Sequence, residues 1–331
     1  MQKTVQQFAI TALVIGGFLG LMMVLKQRSS GGAAKTRWTI GILQTATHPA
    51  LDDAKKGFMD VLQEKMGADV SFVVRNGEGS STQMHAIAEH FRARPEIDAV
   101  YAIATPAVQA MTSVEKVKPI IIAAVTDPQQ LGILTPTTNV CGTSDMIDVE
   151  QEIESMKLLL PTVKTVSVLY SPSEINATIV AEKMKELLSK KGMTPRLVPI
   201  TTQADVVSAV SSALTKSDAL LAPTDNLIAS AITIIVDLAR KAGKPLIVSD
   251  NKLVAHGALM AQGVNYYESG KESGRIAYQV LAQKKHPYEI PIAYGASKDI
   301  VINKQTLREL GLTLPPALLQ SSTLIDTAAG K

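Results

Sequence analysis

The feature that most constrains the fold is a strand–helix alternation that runs through the chain twice. After residue 37, short β-branched runs at 38–43, 70–75, 99–103 and 120–125 are separated by stretches with apolar spacing of three and four, such as 50–65 and 83–92. Runs arranged in this way predict right-handed crossovers and a mainly parallel sheet. The same order then recurs, with strands predicted at 165–169, 196–200, 219–221 and 246–248 and helices at 175–190, 204–214 and 226–242. The halves are offset by roughly 120 residues, a domain-sized interval. Corresponding loops match as well: Ala104-Thr105-Pro106 with Ala222-Pro223-Thr224, and Val125-Thr126-Asp127 with Val248-Ser249-Asp250. Strands buried on both faces account for PIIIAAV at 119–125, which is apolar throughout rather than alternating. The expected fold class is α/β, with two similar doubly wound parallel-sheet lobes.

Composition agrees with this and excludes other classes. A chain of 331 residues, 46% apolar and 19% charged, is globular and long enough for two lobes. The formal charge of +3 comes with no basic stripe interleaved with aromatics, so no nucleic-acid partner is expected. The one cysteine, Cys141, excludes an intramolecular disulfide and a cysteine-rich metal site.

Residues 1–37 read as a targeting segment. The uncharged apolar run 8–25 is near the lower length limit for a membrane-spanning helix, with Lys3 before it and Lys26 and Arg28 behind it. Those two charges stand between the run and the small residues Gly32-Ala33-Ala34, which favours an uncleaved signal-anchor over a cleaved signal peptide. Residues 29–34 (SSGGAA) form a linker. The positive charges behind the run would place the body in the cytoplasm under the positive-inside rule; the functional reading below takes precedence and places it outside the cytoplasmic membrane.

In open parallel sheets, ligands bind beyond the carboxyl ends of the strands. If the two carboxyl edges face each other, their loops line one cleft. Thr105 as N-cap and Pro106 as the first helical residue would leave N–H groups near Ala107 for a ligand carboxylate. Asp127, Asp225 and Asp250 follow strand ends, with Thr126, Thr224, Asn226 and Ser249 beside them. Such a set suits the ammonium of an α-amino acid. Each aspartate serves equally well as an N-cap or turn residue; the coincidence of three favours a site. Gln44 and His48 follow the first strand, and Glu174 and Asn176 occupy the matching loop of the second half, where turn or packing roles stay open.

Catalytic signatures are missing. Near Gly270-Lys271 a P-loop would need glycine where Asn265 stands and Ser or Thr where Glu272 stands. There is no G-x-S-x-G elbow, no HExxH among the five histidines and no calcium-loop spacing. No cofactor, no metal and no enzymatic activity are expected.

Several segments in order carry a resemblance: GILQTATHPALDDAKKGF, AIATPAVQA, AAVTDP, VLYSPSEINA, APTDNLIASA, IVSD and ALMAQGVNYYESGKESGRIA. Over residues 38–303 they resemble the substrate-binding proteins of bacterial ABC transporters related to tryptophan/tyrosine-binding proteins. The resemblance implies a type I periplasmic-binding-protein fold with lobes joined by a three-crossover hinge. It also implies delivery of a small molecule, an amino acid and one of aromatic type, to a permease driven by a separate ATPase. It places Thr105, Thr126, Asp127, Asn176, Asp225, Asn226 and Asp250 in the cleft, with Gln44, His48 and Glu174 alongside. The implied lobes are 38–143 with 266–292, and 144–265 with 293–315, leaving 316–331 as a tail. Asn265-Tyr266-Tyr267 falls near the hinge, its tyrosines expected to pack. Many members carry a lipidated cysteine that this sequence lacks; attachment through residues 8–25, or release after cleavage, would replace it. Three competing readings are a membrane-tethered sensor using the same cleft, a repressor effector domain and an enzyme. The sensor needs a signalling module, the repressor a helix-turn-helix ahead of residue 38, and the enzyme draws only on the fold's versatility.

Overall fold

The computed structural model describes residues 37–294 and 299–327. The first half runs β1 (Trp38–Gln44), α1 (Pro49–Met66), β2 (Val70–Asn76), α2 (Ser81–Ala93), β3 (Ala99–Ile103), α3 (Thr105–Val114), β4 (Ile120–Val125) and β5 (Val140–Ser144). The second half repeats the series with α4 (Val149–Leu159), β6 (Thr165–Tyr170), α5 (Ile175–Lys190), β7 (Thr194–Pro199), α6 (Val206–Leu214), β8 (Ala219–Ala222), α7 (Asn226–Ser230), α8 (Ile232–Lys241), β9 (Leu246–Asp250) and β10 (Met260–Val264). The chain ends with α9 (Tyr266–Leu281), β11 (Ala293–Tyr294), β12 (Ile300–Asn303), α10 (Lys304–Glu309), α11 (Pro316–Ser321) and β13 (Ser322–Ile325).

Two sheets result, one ordered β11-β5-β4-β3-β1-β2 and the other β13-β12-β10-β9-β8-β6-β7. Without their late additions, both have the same doubly wound order, β2-β1-β3-β4-β5 and β7-β6-β8-β9-β10. The duplication in the sequence is therefore a duplication of topology. The chain passes between the sheets after β5, after β10 and between β11 and β12. Helix α9 returns to the first sheet, packing on α1, β4 and β5, whereas α4 packs on α5 and β10 of the second. This is the α/β, three-crossover architecture expected.

Burial explains the strands. All six residues of β4 (IIIAAV) and all five of β3 (AVYAI) are buried, as parallel strands covered on both faces require. β7 carries Pro195 and Pro199 and sits at a sheet edge, where a missing N–H is tolerated. Helix α1 buries Ala50, Leu51, Ala54, Phe58, Val61 and Leu62 along one stripe. There Phe58 stacks on Tyr101 with ring centroids 3.8 Å apart, and the Tyr101 hydroxyl donates to the Ala54 carbonyl at 3.2 Å.

The structure departs from the sequence expectations in four places. The helix expected over 226–242 breaks at Ala231 into α7 and α8; the Ser230 hydroxyl donates back to the Asn226 carbonyl at 2.7 Å, a bond that loosens helical geometry. Residues 293–294 pair in parallel with β5, so they join the first sheet rather than the second. Residues 322–325 form a strand parallel to β12 instead of a loose tail, giving the β12 edge a partner. The N-cap of α3 is Ala104, not Thr105, which is already helical. The apolar run 8–25 lies outside the described residues. Among the described residues no helix is long and apolar enough to cross a membrane.

Candidate ligand-binding site

The two sheets present their carboxyl-terminal rims to one another. A cavity of about 30 Å³ lies between them, lined from the first half by His48 after β1, Ala124 in β4 and Asp145 after β5. From the second half come Asn176 at the start of α5, Pro223 to Asn226 after β8, and Asp250 at the end of β9, with Tyr266 closing one side. A larger cleft of about 490 Å³ adjoins it through Asn226, which lines both, and is bounded by Thr47, Met84, Pro106, Glu174 and Leu227 among others. Direct bonds tie the rims together. His48 Nε2 lies 3.2 Å from Asn226 Oδ1, Thr126 Oγ1 lies 3.4 Å from Thr224 Oγ1, and Lys252 Nζ pairs with Asp53 at 2.8 Å.

Local structure positions each acid. Asp225 is the N-cap of α7, accepting from the Ile228 N–H at 2.9 Å, and its second oxygen accepts from the Ser171 N–H at 2.5 Å. Asp250 caps a short 3₁₀ helix (Asn251–His256) through the Lys252 N–H at 2.8 Å. Asp145 accepts from the Tyr266 hydroxyl at 2.8 Å, a bond joining the first chain crossing to the second. All three are buried. Burial pushes the Asp250 carboxyl up to about 7, aided by the charges of Asp53 and Asp145 and opposed by its bond from Lys252. Burial likewise raises Asp225, reinforced by the neighbouring Glu174 charge, and raises Asp145 against the bond from Tyr266. Glu174 is held up by burial although Asn226 donates to it from both its backbone and its side chain. His48 is pushed down by burial and is neutral near pH 7.

Of the residues singled out in the sequence, His48, Asn176, Thr224, Asp225, Asn226 and Asp250 line the inner cavity, and Pro106 and Glu174 line the outer cleft. The others lie elsewhere. Asp127 is half-buried and accepts from the Gln130 N–H at 2.9 Å, a turn bond. Gln44 is occupied by the Ala46 carbonyl at 2.7 Å and by Lys55 at 2.8 Å. The Ser249 hydroxyl turns into the second lobe, donating to Glu152 at 2.9 Å. The Ala107 N–H, expected to be free for a ligand, donates to Thr45 Oγ1 at 3.1 Å. Thr105 is buried with its hydroxyl unpartnered and lines neither cavity, and Thr126 stands behind Thr224.

Asp145 and Tyr266 also line the cavity, although neither stands out in the sequence as a site residue. Asp145 follows β5 (VCGTS), a short strand interrupted by Gly142 with no sustained apolar run, so no strand end marks it in the sequence. Tyr266 was expected only to pack. A further signal is backbone strain. Ala104 (φ 76, ψ 156) and Ala124 (φ 56), at the ends of β3 and β4, occupy conformations that favour glycine, as rim residues at ligand sites often do.

A sequence profile described as ABC transporter substrate binding protein matches residues 39–325. A curated relative, the "Tyrosine-binding protein" of Clostridioides difficile, is 33% identical over 320 residues, 92% of each chain. Among solved structures, an "ABC domain in complex with L-Trp" from Streptococcus pneumonia superposes with a TM-score of 0.82 at 32% identity, covering 87% of this chain and 99% of the other. The "ligand-free, open structure" of a substrate binding protein with adhesive properties from Clostridium difficile gives 0.65 at 33% identity, over 88% and 99%. A leucine-binding protein from Thermotoga maritima, 16% identical with a TM-score of 0.56 over 75% and 82%, shares the fold.

Proposed function

The chain belongs to the ABC transporter substrate-binding family, whose members bind ligands without transforming them, and on that premise we propose that it captures an aromatic amino acid between its two rims. It would do so outside the cytoplasmic membrane and deliver the ligand to a permease powered by a separate ATPase. Residues 8–25, if retained, would tether it there. The observation that carries the reading is the inner cavity, to which both halves contribute buried polar side chains from strand ends. Buried carboxylates facing a cavity are costly without a cation, and a ligand ammonium supplies one. The adjoining cleft, with Met84 and Leu227 on its wall, has room for a large side chain.

The relatives support the choice of ligand: one is a tyrosine-binding protein and another was solved with L-Trp. They also bear on closure. At nearly equal identity, the fold matches the L-Trp complex at 0.82 and the open, ligand-free structure at 0.65, which favours a closed arrangement here. An inner cavity of about 30 Å³ between bonded rims fits that arrangement, so ligand entry requires the lobes to part about the three crossings.

Calorimetric titration of the full chain with the common L-amino acids tests this. L-tyrosine or L-tryptophan is expected to bind with Kd of about 1 μM or below. Asp250→Asn keeps an acceptor for the Lys252 N–H and removes the charge; it should weaken binding at least about tenfold, the size of one charge-assisted bond. Failure of every amino acid to bind would reject the reading, and unchanged affinity in Asp250→Asn would remove that residue from the site.

A further inference from the structure

Ala124 is held in a conformation that glycine adopts freely and alanine resists. Its φ is 56°, on the left-handed side where a Cβ crowds the following carbonyl oxygen. Strand pairing shows why the chain turns there. Ile122 of β4 faces Gly142 of β5, yet Val125 faces Ser144, so three steps along β4 match two along β5. The extra residue makes a β-bulge, a device that re-aims a side chain near a site. The second sheet has a bulge between its corresponding strands, where Ala261 pairs with Val248 and Val264 with Asp250. That bulge contains Gly263, where a Cβ would collide with the Ser249 carbonyl oxygen. The first bulge instead places an alanine where glycine would be free of strain.

A strained residue kept in a core calls for a reason, and the position of Ala124 supplies one. Of the six β4 residues it alone keeps any exposed surface, 5%, the other five being fully covered. It is also the one β4 residue on the wall of the inner cavity. Among the described residues, the other non-glycine residues at positive φ are Glu78, Ala104 and Lys284, and none of them lines that cavity. In a space of only about 30 Å³, one methyl group on the wall changes what fits.

We propose that the Ala124 methyl is a size limit on the ligand, a specificity-determining group that excludes amino acids carrying one extra methyl. Glycine at 124 would relax the bulge and enlarge the cavity by about that group; alanine keeps the wall advanced. An apolar wall of this kind discriminates one methylene by roughly 10–200-fold. The proposal rests on the amino-acid reading for the identity of the ligand, whereas the strain and the place on the wall stand without it.

Ala124→Gly in the full chain tests it, by urea denaturation and by calorimetry. The ligands are L-tyrosine, L-tryptophan and the α-methyl, N-methyl and ring-methyl derivatives of each. The urea midpoint of the variant is expected at or above that of the wild type, because an alanine at positive φ is the less stable residue there. At least one methylated derivative should gain about tenfold or more relative to its parent amino acid. Ala104→Gly also releases a strained alanine, but at a residue lining neither cavity, and should keep the wild-type ligand ratios. A lower midpoint in Ala124→Gly would make the methyl a packing group and overturn the proposal. Unchanged ligand ratios in that variant, or the same gain in Ala104→Gly, would overturn it too while leaving the amino-acid reading in place. Failure of both parent amino acids and all derivatives to bind either protein would reject the reading and the proposal together.

Discussion

Asp225 and Asp250 each do a local job, capping a helix start, and both are buried residues lining the inner cavity. That combination makes them titrate unusually. The Asp250 carboxyl lies at about 7, raised first by burial and then by Asp53 and Asp145, with Lys252 opposing. Its unfolded value is near 4, so between these limits the folded chain holds the extra proton. Stability from this group is fully present below about pH 4 and is lost as pH rises through about 7. The ligand-free protein should therefore have a lower urea midpoint at about pH 8 than at about pH 5, and Asp250→Asn should flatten that fall; a wild-type profile no steeper than the variant's would contradict it. The proposed ammonium binding would run the other way, since it would need the ionised form and release protons. These two acids were legible because each lies within three residues of the end of a recognisable strand. Asp145 was not, because Gly142 interrupts the short strand before it, which finds its partners β4 and β11 only in the fold.

At the level of elements, α1 and α9 pack backbone against backbone. A Cβ on Gly57 would collide with the Tyr267 carbonyl oxygen, one on Gly270 with the Ala54 carbonyl oxygen, and one on Gly274 would lie 3.0 Å from the Phe58 oxygen. Backbone-to-backbone approach of this kind fixes the helix that starts at the second chain crossing against the first lobe. Gly270-Lys271, which the sequence invites one to compare with a phosphate loop, serves this contact instead. Gly270→Ala is expected to lower stability by about 1–3 kcal/mol, the usual cost of overpacking, read as a drop in denaturation midpoint; a change within about 0.5 kcal/mol would show that the helices can separate freely. Strand and helix order could be read from hydrophobic period almost throughout the first half. The break at Ala231, the short β11 and the late β13 could not, since a side-chain back-bond and edge pairing leave no periodic trace.

For the whole molecule, duplication is the organising fact. Two copies of one doubly wound order, joined by three chain passages, bring equivalent strand ends to face each other. The inner cavity exists only because both halves contribute: His48 and Asp145 come from one, Asn176, Asp225 and Asp250 from the other. The sequence disclosed that geometry through its matching loops, but it could not tell which loop residues turn toward the partner rim and which, like Ser249 toward Glu152, turn away. A crystal structure of the full chain grown with L-tyrosine or L-tryptophan tests the account most directly. It predicts the amino acid held between the rims, its ammonium beside the buried carboxylates of the inner cavity. A ligand bound on one lobe alone, or with its carboxylate rather than its ammonium in the inner cavity, would contradict it.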